Sequence, residues 1–434
     1  MRMGSSSVMF ARSGSVRVAA SAITAEVPAR PGGSMDSSVR RGRLCGAGEF
    51  PVVDRCTYLS ICNSTALGRR ARLAVDEFLD HLMYWCETAA VRDCRVDGAR
   101  DKFARLIGAD AGDIAIVKNV SEGINAVASA IDWRAGDNVV LCASLEHPNN
   151  VLPWVHLRRL GVEMRVVEPV EGAIEPDSII AAIDGRTRVV TCSAVTFAPG
   201  LRVDLGAIGR ACRSRDVLFL VDAVQSAGIL SLDVSRDQVD VLVTSTAKGL
   251  LGIYGCGFLY CRRAWADRLT PAYLSRPAVE LPPDRYSEMA SLDVAMRGNA
   301  RRFEVGSVDY AACYAVDASL SLLGEVGAPA IEAHVLALAG RLRMGMAELG
   351  LEVPGRAFGP QGSHIVTVGR LGAGGHGIAA DPLLARLSEH LTAHDVVHTI
   401  RRGMLRFAFH LFNSDDDVDR VLGLTREVVA RNGA

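Results

Sequence analysis

The chain has 434 residues, of which 49% are hydrophobic, and a formal net charge of −1. That length and apolar content can bury a large core and suit two domains, and the near-neutral balance gives no electrostatic case for nucleic acid or an anionic membrane. No apolar run reaches the roughly 18–20 residues of a membrane span. The 11 cysteines stand singly with no CxxC pair, and several, such as Cys142 and Cys192, lie in apolar strands. That usage fits a reduced, cytoplasmic setting better than a disulfide framework and offers no metal site.

Residues 1–48 are rich in Ser, Ala, Gly and Arg and nearly free of acids. Three readings fit that composition: a disordered tail, an organelle-type leader, or an over-extended start with Met35 as the true first residue. From Gly112 onward, short Val/Ile/Leu-rich runs predict buried strands: "NVVLCAS", "EMRVVEP", "TRVVTCSAV", "VLFLVDAV", "VDVLVTST" and "GFLYCR". Between several of them lie helix-period segments, "DSIIAAID" and "DLGAIGRACRSR", the second opened by Asp204 as N-cap. Strands buried on both faces and separated by helices predict an α/β fold with a mainly parallel sheet flanked by helices. After about residue 311 the texture turns to the long helical stretch "YAACYAVDASLSLLGEVG", and further α and β segments follow up to "DDDVDRVLGLTREVVAR". The expected division is a large domain over 49–310 and a smaller α+β domain over 311–434. "GRLGAGGHGIAAD" reads as a flexible surface loop.

Lysine occurs only at Lys102, Lys118 and Lys248; the remaining basic residues are arginine. A chain that avoids lysine makes each one informative, because guanidinium cannot do amine chemistry. Lys248 follows the apolar run "VDVLVTST", and Asp222 closes the run "LFLVD" before it. A strand-end acid is costly to desolvate unless it meets a cation. That cation is either Lys248 itself or the protonated ring nitrogen of a ligand held by Asp222 while the lysine forms an imine, the pair that pyridoxal phosphate needs. "KNVSEGIN" opens a helix whose free N–H groups are either an ordinary capped end or a phosphate site. "LEHPNNVLPW" puts His147 at a strand end, on the surface or stacked on a flat ring.

Taken in order, "YLSICNSTALG", "KNVSEGINAVA", "LEHPNNVLPW", "SAVTFAPGLRVDL", "VDAVQSAG", "TSTAKGLLGIYGCGFLY", "RRFEVGSVDY" and "RRGMLRFAFHLFNSDDDVD" resemble the class V aminotransferases. These are fold-type I pyridoxal-phosphate enzymes that include cysteine desulfurases and isopenicillin N epimerase-like proteins. The resemblance covers roughly residues 55–430 and implies pyridoxal 5'-phosphate as cofactor. It makes Lys248 the Schiff-base lysine, Asp222 the pyridinium partner, Gln225 the ring-hydroxyl partner and His147 the ring-stacking histidine. Val120 and Ser121 would contribute to the phosphate cup, with a hydroxyl from Ser245. Ser307 would reach the phosphate of the neighbouring subunit, which implies a homodimer. Arg401 and Arg406 match the region that grips the substrate carboxylate, with Arg401 the leading candidate.

The departures from the family pattern matter too. The last cysteine is Cys313, far upstream of the arginines, so a desulfurase that forms a persulfide is not expected. Ala247 and Phe197 replace a histidine and an asparagine of the desulfurases. The expected function is abstraction of the Cα proton of an amino acid by Lys248, leading to lyase or epimerase chemistry. The alternatives are an aminotransferase using an oxo-acid acceptor and, more remotely, a binding protein on the same fold without catalysis.

Overall fold

The computed structural model of the protein describes residues 42–45, 48–85, 89–281, 292–372 and 374–432. Residues 40–434 gather into one compact unit; the leader expected over 1–48 lies almost wholly outside the described residues. Two helices come first, α1 (Arg69–Asp80) and α2 (Ala89–Ile107). The strand β1 (Ile114–Val117) leads into α3 (Val120–Ala130). Then come β2 (Asn138–Leu141), β3 (Glu163–Val166), β4 (Thr187–Ser193), α4 (Leu205–Ser214), β5 (Leu218–Asp222), β6 (Val241–Ser245) and β7 (Gly257–Cys261).

These seven strands form one sheet in the order β1-β7-β6-β5-β4-β2-β3. The pairs from β6 to β3 are parallel, and β7 is antiparallel to both its neighbours. All six expected strands are present, together with β1, a four-residue apolar run not expected as a strand. The inner strands are continuous apolar runs because helices cover both faces; β3, at the sheet edge, is largely exposed. Asp204 caps α4, its side chain accepting from the Ala207 amide at 3.1 Å.

Two helices, α5 (Tyr310–Val326) and α6 (Ala328–Glu348), meet at a bend of 80°. After them come β8 (Ile365–Val368), α7 (Pro382–Ala393), β9 (Thr399–Arg401), β10 (Met404–Ala408) and α8 (Asp415–Asn432). The three strands make a second, antiparallel sheet in the order β8-β10-β9. An N-terminal segment is stitched to this part of the chain. Thr57 and Tyr58 pair in parallel with Val396 and Val397, and the Ala408 amide donates to the Leu59 carbonyl at 2.8 Å. That stitching carries the turn after Ser60 toward the large sheet. Among the described residues no single helix is long and apolar enough to cross a membrane.

Candidate active site

Strands β4, β5 and β6 end side by side, Ser193 opposite Asp222 and Asp222 opposite Val243. Parallel pairing puts their carboxyl ends on one edge, where α/β sheets hold ligands. Asp222 is buried, and its Oδ1 accepts from the Val224 amide at 2.9 Å. Burial pushes this carboxyl up to about 6, against the opposing pull of the Val224 amide and the Lys248 charge. Lys248 follows β6 and is half-buried. Burial lowers its pKa, Asp222 opposes that, and Arg406 and Arg401 lower it further. A lysine so placed presents a larger share of free amine, the form that is nucleophilic and basic. The other two lysines lie elsewhere: Lys102 is ion-paired to Asp317, and Lys118 is exposed.

The start of α3 belongs to the same edge, for a reason of register. Val117 at the end of β1 and Ser245 at the end of β6 both pair with Gly257. A Cβ on Gly257 would stand 2.4 Å from the Thr244 carbonyl oxygen and 3.5 Å from the Asn119 Cα, so glycine permits this approach. Asn119 caps α3: its side chain accepts from the Glu122 amide at 2.9 Å and its carbonyl from the Gly123 amide at 3.2 Å. Glu122 reaches back to the amide of Lys118, one residue before the cap. Of the first-turn N–H groups, those of Val120 and Ser121 are then left for a ligand, at the positive end of the helix dipole. Ser307 is exposed and lies at a shallow indentation with Lys118, Glu122 and Gly255.

The other wall of the site is assembled from distant stretches. His147 caps a short helical turn, its Nδ1 accepting from the Asn149 amide at 3.2 Å, so Nε2 carries the proton of the neutral ring. Its pKa is lowered, first by burial, then by Lys248, Arg401 and Arg406. Phe197 meets the His147 ring edge-on at 4.9 Å. Arg406, 0% exposed, lies over the Phe197 ring at 5.2 Å and donates to the Phe197 carbonyl at 2.9 Å and to Thr399 Oγ1 at 3.2 Å. Arg401 is half-buried and donates to Asn63 Oδ1 at 2.7 Å. Neither guanidinium has a carboxylate partner among the described residues. Gln225 is buried; its Nε2 donates to the Cys62 carbonyl at 3.0 Å, and its Oε1 has no partner.

The structure therefore gathers Lys248, Asp222, Gln225, His147, Arg401 and Arg406 into one neighbourhood, with Ser245, Val120 and Ser121 on the same sheet edge. Several groups there were not anticipated. Cys62 and Asn63 line the site from the N-terminal turn, and Cys62 bears electrostatically on Lys248 and Arg401. Their turn belongs to the segment "YLSICNSTALG", which resembles the family without singling out either residue. Glu146 is buried beside the site, accepting from the Ser193 amide at 2.7 Å and from Asn150 at 3.0 Å; burial raises its carboxyl to about 7. The glycine-rich loop expected as a surface feature is tied to the arginine hairpin. Gly372 donates to the Arg402 carbonyl at 3.0 Å and Gly377 to the Ile400 carbonyl at 3.3 Å. His376 on that loop helps to lower the pKa of His147.

These groups suit pyridoxal 5'-phosphate piece by piece. The open helix start can take a phosphate, and the buried, desolvated Asp222 can take a ring cation. The orphaned Gln225 Oε1 is a polar atom that a ring hydroxyl would satisfy. Lys248 offers the amine for the cofactor's carbonyl.

The family model for class V aminotransferases matches residues 89–421, and the chain belongs to that family. Its cofactor is pyridoxal 5'-phosphate. The chain is 30% identical over 358 residues to a protein named as a probable cysteine desulfurase from Methanothermobacter thermautotrophicus, covering 78% of this chain and 84% of that protein. It is 28% identical to the uncharacterized aminotransferase YcbU of Bacillus subtilis, covering 85% and 93%. Among solved structures it superimposes on a C-DES variant with glycine covalently linked to its pyridoxal-phosphate cofactor, with a TM-score of 0.77, 20% identity, and 88% and 99% of the two chains covered. That likeness shows the fold.

Proposed function

We propose that the protein acts at the Cα–H bond of a small amino acid, as a lyase or an epimerase, with Lys248 as the residue that moves the proton. The observation that carries this reading is the place of Lys248, half-buried between a buried acid, Asp222, and two guanidiniums without acid partners, Arg401 and Arg406. When bound, the cofactor supplies an electron sink for the pair left at Cα. Asp222 would hold the ring-nitrogen proton, and His147 would cover the ring. Arg406 and Arg401 would hold the substrate carboxylate. A fully buried guanidinium with only neutral partners calls for an anion, which supports Arg406 as the deeper anchor. Lys248 Nζ takes the Cα proton. Protonation of Cα from the opposite face, by a donor other than Lys248, gives epimerisation, and loss of a β-substituent gives a lyase.

Persulfide formation is the reading raised by the name of the Methanothermobacter relative, and Cys62 is the thiol that borders the site. It is 1% exposed, and its own carbonyl is held by Gln225 on a turn stitched to the C-terminal sheet. A thiol so fixed lacks the reach of a swinging nucleophile, which supports a route without persulfide. We also propose a homodimer. The support is the exposed Ser307, with Tyr254 (70% exposed) and Val305 (41% exposed) beside the same indentation.

The test is product analysis with an amino-acid panel in deuterated water, with and without an oxo acid. Deuterium at Cα or β-elimination products without the oxo acid support the proposal. Turnover that requires the oxo acid makes the protein an aminotransferase, and a persulfide on Cys62 makes it a desulfurase.

A further inference from the structure

The turn that carries Lys248 is held by more than its own backbone. Its three successive carbonyls, at Lys248, Gly249 and Leu250, each have a donor from a different part of the chain. The Leu251 amide donates to the first at 2.9 Å, within a turn that gives Leu251 a φ of 58°. Ser319 Oγ on α5 donates to the third at 2.7 Å. The middle one, on Gly249, lies 2.9 Å from Nε2 of His410, two residues past the end of β10. Gly249 is also pressed from the other side. A Cβ there would stand 2.4 Å from the Ala227 carbonyl oxygen, and one on Gly228 would stand 2.3 Å from the Gly249 oxygen.

His410 itself has no freedom. It is fully buried and stacks on Phe412 at 5.5 Å and 10°. The Leu411 amide donates to its Nδ1 at 2.7 Å, and its own amide donates to Asn413 Oδ1 at 2.8 Å. Because Nδ1 accepts, Nε2 carries the hydrogen, so the tautomer that donates to Gly249 is selected by the bond on the far side of the ring. The ionisable groups around it are His334, whose Nε2 meets the Asn413 carbonyl, and His364, with Arg343 and Arg406 beyond. The same stretch of chain thus carries Arg406 on β10 and, two residues beyond the strand's end, the donor to the lysine turn.

We propose that His410 is a positioning residue for Lys248: its Nε2–H holds the Gly249 carbonyl, fixes the direction of the lysine side chain, and ties it to the strand bearing Arg406. This rests on Lys248 as the residue that binds the cofactor covalently. Small misplacements of reacting groups are expensive, with about 1 Å costing on the order of a hundredfold, so the hold on a single carbonyl is enough to show in the chemistry.

Two variants separate positioning from structure. His410→Phe keeps a ring over Phe412 and loses the donor; His410→Gln keeps a donor. Each is loaded with pyridoxal 5'-phosphate, reduced with borohydride and mapped by mass spectrometry. The unreduced forms are titrated by absorbance without substrate and assayed for kcat and KM. We expect the adduct on Lys248 throughout. In His410→Phe the midpoint of the absorbance titration should move by about 0.5–1 pH unit, and kcat should fall by roughly ten- to a hundredfold with KM within about twofold. His410→Gln should return both toward the wild-type values. A Phe variant that matches the wild type in midpoint and kcat overturns the proposal, and so does a Gln variant impaired as deeply as Phe. If His410→Phe does not fold, His410→Asn, whose amide stops short of the Gly249 carbonyl, takes its place against the same two outcomes. An adduct on another lysine overturns the reading of Lys248, and this proposal with it; an adduct on Lys248 with both midpoint and kcat unmoved overturns this proposal alone.

Discussion

On the proposed phosphate and ring-nitrogen side of the site, the groups stand at a strand's carboxyl end or at the start of the helix that follows one. Asp222 closes β5, Ser245 and Lys248 follow along β6, and Val120 and Ser121 begin α3 just past β1. The other wall comes from four separate stretches: the Cys62–Asn63 turn, His147 after β2, Phe197 after β4, and Arg401 and Arg406 on the C-terminal sheet. The first side is sheet topology itself, and the strand ladder holds a buried acid in place there. The second side exists only when the N-terminal segment and the C-terminal sheet dock against the large sheet. Damage to the first side should therefore remove chemistry, and damage to the second should weaken binding.

The sharpest way to break that contrast is Lys248→Ala. It should abolish the borohydride-trapped adduct and lower turnover by more than about 10⁴-fold, beyond the usual share of one general base, because the covalent hold goes with the base. An adduct trapped on Lys118 or Lys102 instead would move the chemical centre away from the β6 edge.

Asp222 comes next, and two opposite effects are expected from one substitution. Asp222→Asn should lower kcat by roughly 10²–10⁴-fold, since an amide cannot keep the ring nitrogen protonated. In the cofactor-free protein the same change should stabilise. The folded carboxyl sits near 6, above its unfolded value of 3.8. Between those values the folded state binds the extra proton, so this group's contribution falls as pH rises from about 4 to about 6, and above that the full cost of a buried anion remains. Apo Asp222→Asn should then gain about 1–3 kcal/mol at pH 8 and nothing below about pH 4. Urea melts of both apo proteins at the two pH values check this. Equal stability at pH 8 would mean that the carboxylate is satisfied without a ligand.

That division also explains what could be read from the chain. Strand ends announce themselves, because a run such as "LFLVD" or "VLVTS" stops being apolar where the sheet stops, and polar residues there have few structural reasons to exist. The scarcity of lysine made Lys248 stand out further. Asn63 and Cys62 carry no such mark: a polar residue in a turn is ordinary, and only the pairing of Thr57 and Tyr58 with Val396 and Val397 brings that turn to Arg401. His410 was equally mute, since its role lies in a bond to a carbonyl of a residue 161 positions away in sequence. Strand β1 was missed because a run of four apolar residues is too short to declare its period.

The two arginines test the second side. Arg406→Lys loses the planar fork but keeps the charge. If Arg406 is the carboxylate anchor, kcat/KM should fall by roughly 30- to several-thousand-fold, the equivalent of about 2–5 kcal/mol for a buried charged contact. Arg401→Lys should cost less, about tenfold, because its guanidinium is half-exposed and already spends one bond on Asn63. Cofactor absorbance should be unchanged in both. If Arg401→Lys proves the worse of the two, the half-exposed arginine is the anchor and Arg406 is a structural tie to Phe197 and Thr399.

The smallest effect is expected at Ser307, and it bears on where the two sides end. Ser307 is exposed beside Lys118 and Gly255 of its own chain, near the open start of α3. A hydroxyl that only completes a phosphate cup contributes about 0.5–1.5 kcal/mol, so Ser307→Ala should weaken cofactor retention by a few-fold to about tenfold and leave kcat at saturating cofactor unchanged. In a dimer with Ser307 serving the partner's phosphate, dilution of the wild type should release cofactor as the dimer dissociates, and Ser307→Ala should release it at a higher protein concentration. In a chain that completes its own cup, retention is independent of dilution and the substitution costs the same at every concentration. Equilibrium dialysis of cofactor across a dilution series, with sedimentation at each point, separates these outcomes. Retention that tracks the monomer fraction supports the shared site, and retention flat across dissociation returns Ser307 to its own helix start.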